Sequence, residues 1–418
     1  MNTARGEGSC DPSGLRQRAA GPAPARETGA LTRRRMVCLS LLASGGLGGC
    51  AGAPRLPPVP QALVEAARIP GFGAVRQWGD ASSPGAGLRG PPAAPFGGAG
   101  RNGPLNVLAL SGGASNGTFG AGLLTGWSES GTRPIFHVVT GVSIGALAAP
   151  FAFLGPRYDE VLRHLFTGVA AQEIITLRPA LMGWLGGAMA SAGPLRALIE
   201  KRFDARLMRE VATEHRAGRR LYVGTSHIYA GRQVIWDIGA IADSGQGSAL
   251  ALIHRVLLAS ASMPILLPPV FFEVEAGGQR YKEMHVDGGI MRQAFIAPPG
   301  FDWGATTRAL QTDGRVNFYV VRNGRVRPEY MVMRSELLGL GEHAMSQLSQ
   351  SLGIGDLHMI YARAQREGAI FHAAWIGDAF TALWTDWYDP VYAQGLFEHG
   401  RAQAREAMAW HALPPGIE

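Results

Sequence analysis

The chain has 418 residues, of which 46% are hydrophobic and 17% charged, so it is long enough to bury a core and predicts a globular body. The net charge of +7 lies mostly at the start, because residues 1–49 carry seven arginines against three acidic residues, which leaves +3 for the rest. A nucleic-acid-binding protein carries its basic patch on the folded body, so this distribution argues against that function.

Residues 1–49 are typical of an export leader. Arg33-Arg34-Arg35 precedes a short apolar run, residues 36–47, which is too short to span a bilayer. The run ends at Leu47-Gly48-Gly49-Cys50, which resembles a bacterial lipobox and implies cleavage before a diacylated Cys50. An ordinary secretory signal with a chance cysteine is the alternative, and Sec and twin-arginine export both stay open.

Cysteine usage agrees with the lipoprotein interpretation. The three cysteines are Cys10, Cys38 and Cys50, and cleavage would leave only the lipidated one, so no internal disulfide is expected. Ala51 follows the modified cysteine, which predicts a cell-envelope protein, anchored in the outer membrane if the host has two membranes.

Residues 50–104 are rich in Pro, Gly and Ala and predict a semi-extended tether. Within it, residues 61–67 predict a short helix, and residues 69–78 predict a segment that packs on the body.

The body is predicted to begin at Leu105 with an α/β pattern. Residues 105–110 form an apolar run expected of a strand covered on both faces, and residues 119–130 predict a helix. A second strand over 135–140 and a helix over 144–154 complete a strand–helix–strand–helix unit. Such a unit predicts a parallel sheet with a right-handed crossover.

The remaining chain predicts further elements in the same layers. Residues 170–199 predict largely helical structure broken at Pro179 and Pro194, with an apolar stretch at 181–189 that either packs on the body or faces a membrane. Residues 221–225 and 233–237 predict a hairpin, and 316–321 a late core strand. The hydrolase domain is expected over 105–325, and 326–418 is expected to be mainly helical and packed on it.

A serine motif follows the second predicted strand. Gly141-Val142-Ser143-Ile144-Gly145 fits the sharp strand-to-helix turn that exposes a nucleophilic hydroxyl. Gly113-Ala114-Ser115-Asn116-Gly117 matches the same pattern, but its position within a longer glycine-rich loop favours a role as backbone donor. Ser143 is therefore the predicted nucleophile, and Ser115 the alternative.

Two other motifs supply an anion-binding loop and a carboxylate that a serine nucleophile needs. Gly112-Gly113-Ala114 lies between a strand and a helix, where its amides can face an anion. No Walker lysine follows it, and the chain holds only two lysines, so nucleotide binding is not expected. Asp287-Gly288-Gly289 follows a strand-like stretch over 280–286 and supplies a carboxylate able to activate a serine.

These three motifs together resemble the patatin-like phospholipase family, over about residues 105–321. The resemblance implies a three-layer α/β fold with a mostly parallel central sheet. It also implies a Ser143–Asp287 dyad, and an oxyanion hole built from the amides of Gly112, Gly113 and Ala114. Asn116 stands where the family usually has an arginine, and residues 259–270 resemble the family's proline-bearing block.

The histidines predict neither a metal site nor a cofactor. His285 lies two residues before Asp287, and a third catalytic member is imaginable there, although a structural histidine is the stronger expectation. The other histidines show no ligand spacing, so no metal and no cofactor are expected.

Three functions remain open from the sequence. The first is a membrane-anchored acyl hydrolase whose partners are membrane lipids, with a phospholipid, lysophospholipid or similar ester as substrate. The second is a Ser-His-Asp α/β-hydrolase esterase, and the third is a non-catalytic envelope lipoprotein that binds lipid or a partner. The sequence does not indicate the oligomeric state.

Overall fold

The described part of the computed structural model covers residues 56–80, 102–168, 174–178, 188–298, 300–327, 337–382, 389–406 and 409–417. The predicted leader, the predicted lipidation residue Cys50 and most of the apolar stretch 181–189 lie outside these residues. A large sheet with the helices that cover it, and a small two-stranded sheet, make up the described body.

Nine strands form the main sheet. They are β1 (Arg76–Trp78), β2 (Leu105–Leu110), β3 (Val138–Val142), β6 (Arg220–His227), β7 (Arg232–Asp237), β8 (Val270–Ala276), β9 (Gln279–Asp287), β10 (Val316–Arg322) and β11 (Ile370–Trp375). The order is β1-β7-β6-β3-β2-β10-β11, with β9 pairing β6 and β8 pairing β9. Two short strands, β4 (Thr176–Leu177) and β5 (Ala190–Ser191), pair with each other.

Ten helices accompany these strands in the described residues. They are α1 (Gly117–Glu129), α2 (Ile144–Leu154), α3 (Asp159–Thr167), α4 (Gly193–Arg202), α5 (Ala205–Arg216), α6 (Ile238–Ala242), α7 (Ala249–Ser260), α8 (Trp303–Leu310), α9 (Leu337–Glu367) and α10 (Pro390–Arg405). No helix in the described ranges has both the length and the apolar character needed to cross a bilayer.

The centre of the sheet is parallel and its flanks are antiparallel. Strands β11, β10, β2, β3 and β6 run parallel, whereas β7, β1, β9 and β8 add antiparallel pairs. The predicted α/β class with a mostly parallel centre is confirmed, and the sheet as a whole is mixed. The hairpin predicted from residues 221–225 and 233–237 is confirmed as β6–β7.

Helices cover both faces of the sheet because successive side chains of each buried strand point to opposite sides. Along β2, Leu108 and Leu110 pack in one apolar cluster with α1, α2 and α7, whereas Val107 and Ala109 pack in a second cluster with α8 and α9. All six residues of β2 are buried, as expected of a central parallel strand.

The N-terminal segment 56–80 packs on this body, so this part of the predicted tether is folded structure. Residues Gln61–Ala66 form a 3₁₀ helix, and β1 pairs antiparallel with β7. Ala67, Ile69 and Val75 are buried. The predicted packing of residues 69–78 is confirmed, and the described body begins at Leu56 and not at the predicted Leu105.

Two other element predictions need correction. Residues 174–178 and 188–192 are not helical, because they contain the β4–β5 pair. Pro194 does not break a helix: it lies in the first turn of α4, where its missing N–H leaves no hydrogen bond unmade. The C-terminal part is mainly helical as predicted, yet β11 extends the sheet there with an apolar run that pairs parallel to β10.

Candidate active site

Ser143 stands on a sharp turn between β3 and α2. Its backbone has φ +55° and ψ −125°, a conformation that a non-glycine residue adopts only when its surroundings hold it there. The flanking Gly145 allows this turn, since a Cβ atom there would lie 2.3 Å from the Leu110 carbonyl oxygen. The serine hydroxyl is thus lifted from the sheet at the start of a helix, whose positive dipole end faces the site.

Asp287 meets Ser143 at this turn. The Ser143 hydroxyl donates to Oδ2 of Asp287 at 2.5 Å, and the Gly289 amide donates to Oδ1 at 2.7 Å. The carboxylate is only 6% exposed, and its burial raises the pKa of Asp287 to about 7, although the hydrogen bonds from Ser143 and Gly289 act in the opposite direction. The pair can therefore exchange a proton near neutral pH.

The C-terminal turn of α7 holds both members of this pair. The Ser143 amide donates to Oγ of Ser260 at 3.0 Å, and that hydroxyl donates to the Gly224 carbonyl at 2.7 Å. The Asp287 amide donates to the Ser262 carbonyl at 2.9 Å. This turn lies in the proline-bearing block that the sequence indicated, but the roles of its serines were not predicted.

The glycine-rich loop Gly112-Gly113-Ala114 lies beside Ser143. Three of its backbone amides were expected to be free for an oxyanion, but only two are. The Gly112 amide donates to the Gln293 carbonyl at 3.0 Å, so it is already used and does not fit the predicted role of oxyanion donor. The amides of Gly113 and Ala114 make no hydrogen bond to any described residue, which leaves them available to an anion. Ala114 adopts φ +49°, a left-handed conformation that is unfavourable for alanine.

The alternative serine and the substituted arginine position both lie on this loop. Ser115 lines the same cavity as Ser143, but its hydroxyl has no partner among the described residues and so no base to activate it. The side chain of Asn116 accepts a hydrogen bond from the Tyr392 hydroxyl at 2.7 Å, which ties the loop to α10.

An apolar cavity opens at the pair. It has a volume of about 70 Å³, and Asp287 is the only ionisable residue among its described lining residues. Its walls are mainly aliphatic, including Leu147, Leu165, Ile175, Leu195, Leu198 and Leu267. Such a lining favours an apolar group, such as part of an acyl chain, next to the pair.

His285 lies in a separate buried network and contacts neither Ser143 nor Asp287. Its Nδ1 pairs with the Thr225 hydroxyl at 2.9 Å and its Nε2 with Glu283 at 3.2 Å, and burial lowers the pKa of His285 to about 4. The structural interpretation of this histidine therefore fits, and the contacts do not support a Ser-His-Asp triad.

The same network brings together three residues of metal-ligating type, which the sequence did not predict. The ligand atoms of His227, Glu283 and His285 lie within 4.8 Å of one another. The donor set fits a hydrogen-bonded ion pair better than a metal centre. Both carboxylate oxygens of Glu283 bind Arg76, and Nδ1 of His227 accepts from the Ala230 amide, which leaves the proton of a neutral ring on the nitrogen that faces Glu283.

Burial alone would raise the pKa of Glu283, but Arg76 and His285 hold it well below its usual range. The carboxylate therefore stays charged inside the protein, and Arg76 attaches the N-terminal segment to the strand that ends in Asp287.

A comparison with protein-family models finds a match in the central part of the chain. Residues 108–298 match the model of the patatin-like phospholipases. This segment, just under half of the chain, is thus similar to the patatin-like phospholipases. The family consists of hydrolases, so the chain is an enzyme of that class, as its motifs predicted. The matched segment contains Ser143, Asp287 and the glycine-rich loop.

Two solved structures match the chain at low sequence identity. The first is VipD from Legionella pneumophila, with 11% identity and a TM-score of 0.36, covering 74% of this chain and 68% of VipD. The second is the type III effector ExoU, with 13% identity and a TM-score of 0.22, covering 74% of this chain but only 53% of ExoU. No curated protein matched the sequence.

Proposed function

We propose that this patatin-like domain is a lipid acyl hydrolase in which Ser143 is the nucleophile and Asp287 the base. The observation that carries the proposal is the 2.5 Å hydrogen bond between the two side chains at the head of an apolar cavity. The substrate class is a lipid ester, such as a phospholipid or a lysophospholipid.

The reaction follows from this geometry in two halves. Asp287 takes the proton of the Ser143 hydroxyl as its oxygen attacks the ester carbonyl, and the oxyanion forms beside the amides of Gly113 and Ala114. The alcohol leaves with the proton from Asp287, and an acyl-enzyme ester remains on Ser143. Water then attacks this ester with Asp287 again as base, which releases the fatty acid and restores the serine.

The described cavity wall contains no cationic side chain, and this bears on which lipid headgroups the enzyme recognises. An anionic headgroup gains most from an arginine, yet Asn116 occupies the family's arginine position and is bound by Tyr392. Recognition therefore rests on the acyl chain and the ester, and the headgroup contributes little. We expect neutral lipid esters to be cleaved at least as efficiently as lysophospholipids with the same acyl chain.

The test of the proposed function compares single-site variants on a chromogenic acyl ester. Ser143→Ala and Asp287→Ala should each abolish turnover, because they remove the nucleophile and its base. Ser115→Ala is the matched control at another serine that lines the cavity and should reduce turnover far less. Equal loss in all three variants would contradict the assignment. Incubation with mixed membrane lipids, followed by lipid analysis, then identifies the substrate.

We also propose that acyl chains on Cys50 anchor the mature protein to a membrane. The described body begins at Leu56, only six residues later, and an extended chain spans at most ~3.5 Å per residue. An anchored body would thus stay within roughly 20 Å of the lipid surface. One acyl chain binds only weakly, so stable anchoring needs two or three together.

Cys50→Ser tests the anchor. The variant should lose lipidation and leave the membrane fraction after a carbonate wash, while it still hydrolyses soluble esters, because the dyad lies far along the chain. If the variant protein remains in the membrane fraction, the anchor is elsewhere, and the apolar stretch 181–189 becomes the next segment to test.

A further inference from the structure

Asn323 connects the glycine-rich loop to the end of β10. Its side-chain NH₂ donates to the Ser111 carbonyl at 2.8 Å, and its side-chain oxygen accepts from the Gly120 amide at 3.1 Å. Its backbone amide donates to the Ser111 hydroxyl at 2.8 Å. Ser111 follows the last residue of β2 and Gly120 lies in the first turn of α1, so one residue binds the chain on both sides of the loop.

The loop needs such support because its backbone is strained. Ala114 has φ +49°, and Gly113 has φ +158° with its Cα pressed against Asn323, where a Cβ atom would lie 2.0 Å from the Asn323 carbonyl oxygen. These two residues carry the free amides. The position of these amides therefore depends on the contacts that hold the loop, among them those of Asn323.

We infer that Asn323 is a positioning residue for the oxyanion amides of Gly113 and Ala114. The inference rests on the proposed function, and it assigns a role in the reaction to a residue beyond the segment 108–298 that matches the family. Part of the active-site geometry is thus built by the C-terminal part of the chain.

Only an amide side chain serves both partners. Asn323 donates to a carbonyl and accepts from an N–H, and it is 3% exposed, so water cannot replace either bond. An aspartate of the same shape keeps the acceptor but places a carboxylate oxygen against the Ser111 carbonyl. Because these two oxygens repel each other, the loop should shift away from β10, and the amides of Gly113 and Ala114 should shift with it.

The same strand offers a matched control. Asn317 is also buried, and its side-chain NH₂ donates to the Asn106 side-chain oxygen on β2 at 2.9 Å. It lies at the opposite end of β10 from the loop. Asn317→Asp and Asn323→Asp therefore make the same chemical change beside the same two strands, but only the second touches the loop.

The experiment measures ester hydrolysis, thermal stability and amide hydrogen exchange in both variants of the full chain. Asn323→Asp should lower kcat on the order of 10- to 100-fold with KM changed less than about threefold, since loss of one oxyanion donor costs on the order of 10² to 10³ in kcat. Asn317→Asp should keep kcat within about twofold of the wild type, although it lowers the melting temperature by a comparable amount.

Exchange at residues 111–120 provides the readout that does not depend on activity. It should accelerate in Asn323→Asp and not in Asn317→Asp. Unchanged exchange, or equal kcat in the two variants, would overturn the inference. If Asn323→Asp does not fold, Asn323→Ala against Asn317→Ala repeats the comparison. Failure of the proposed function itself is recognised separately, as equal activity of the wild type and Ser143→Ala.

Discussion

Replacing Asp287 with asparagine should abolish turnover and at the same time stabilise the fold. Asparagine keeps an oxygen for the Gly289 amide, and its NH₂ group can donate to the Ser143 hydroxyl, which reverses the direction of that bond. The variant lacks a base, so no proton can leave the serine. It also lacks the buried negative charge that the wild type carries at alkaline pH.

The size of the stabilisation follows from the pKa of Asp287, which burial raises from 3.8 to about 7. Because the folded-state pKa lies above the unfolded one, the wild type loses stability as pH rises from about 4 to about 7, and the loss is complete above that range. A shift of about 3 units corresponds to ~4 kcal/mol. The asparagine side chain does not titrate, so the variant escapes this loss.

Urea unfolding of both proteins at three pH values measures the difference. The variant should be more stable by about 1 kcal/mol at pH 4.5, about 3 at pH 6 and about 4 at pH 8.5. Ser143→Ala is an inactive control with the opposite trend, because it removes a hydrogen bond from the carboxylate and should cost stability mainly at high pH. If the difference in unfolding free energy between Asp287→Asn and the wild type does not change with pH, Asp287 does not have a raised pKa in the folded protein.

Three further results are expected. Wild-type kcat/KM should fall about tenfold per pH unit below about 7, since only ionised Asp287 accepts the proton, and a flat profile from pH 5 to 9 would contradict this role. Gly113→Ala should lower kcat by at least about 10²-fold, because its Cβ atom collides with the Asn323 carbonyl, and turnover near the wild-type rate would show that the loop adapts. Arg76→Met should cost about 3–5 kcal/mol of unfolding free energy at pH 8 by leaving Glu283 buried without its cationic partner, and Glu283→Gln in the same chain should recover most of it.

Local patterns in the sequence predicted most of the central sheet, and they indicated Ser143 and Asp287, whose side chains the structure brings together. Apolar runs predicted β2 and α2 with the bounds observed, and the glycines around Ser143 predicted the turn that the structure shows. These features depend on neighbouring residues, so a short stretch of sequence is sufficient to indicate them.

Features that depend on distant partners were not predictable in this way. Gly112 was expected to offer its amide to an oxyanion, but the Gln293 carbonyl, far along the chain, uses it. The support from Ser260 and Asn323 likewise spans more than a hundred residues. Residues 69–78 were predicted to pack on the body, and Ile69 and Val75 are buried there, but Pro57, Pro58 and Pro60 concealed that the described body extends back to Leu56.

Covalent labelling by an organophosphonate ester tests the central claim most directly. The reagent reacts with an activated serine and forms a stable adduct, which peptide mass spectrometry can locate. One adduct is expected, on Ser143, and it should be absent from Asp287→Asn because the serine of that variant lacks a base. An adduct on Ser115, or equal labelling of Ser143 in the wild type and in Asp287→Asn, would contradict it.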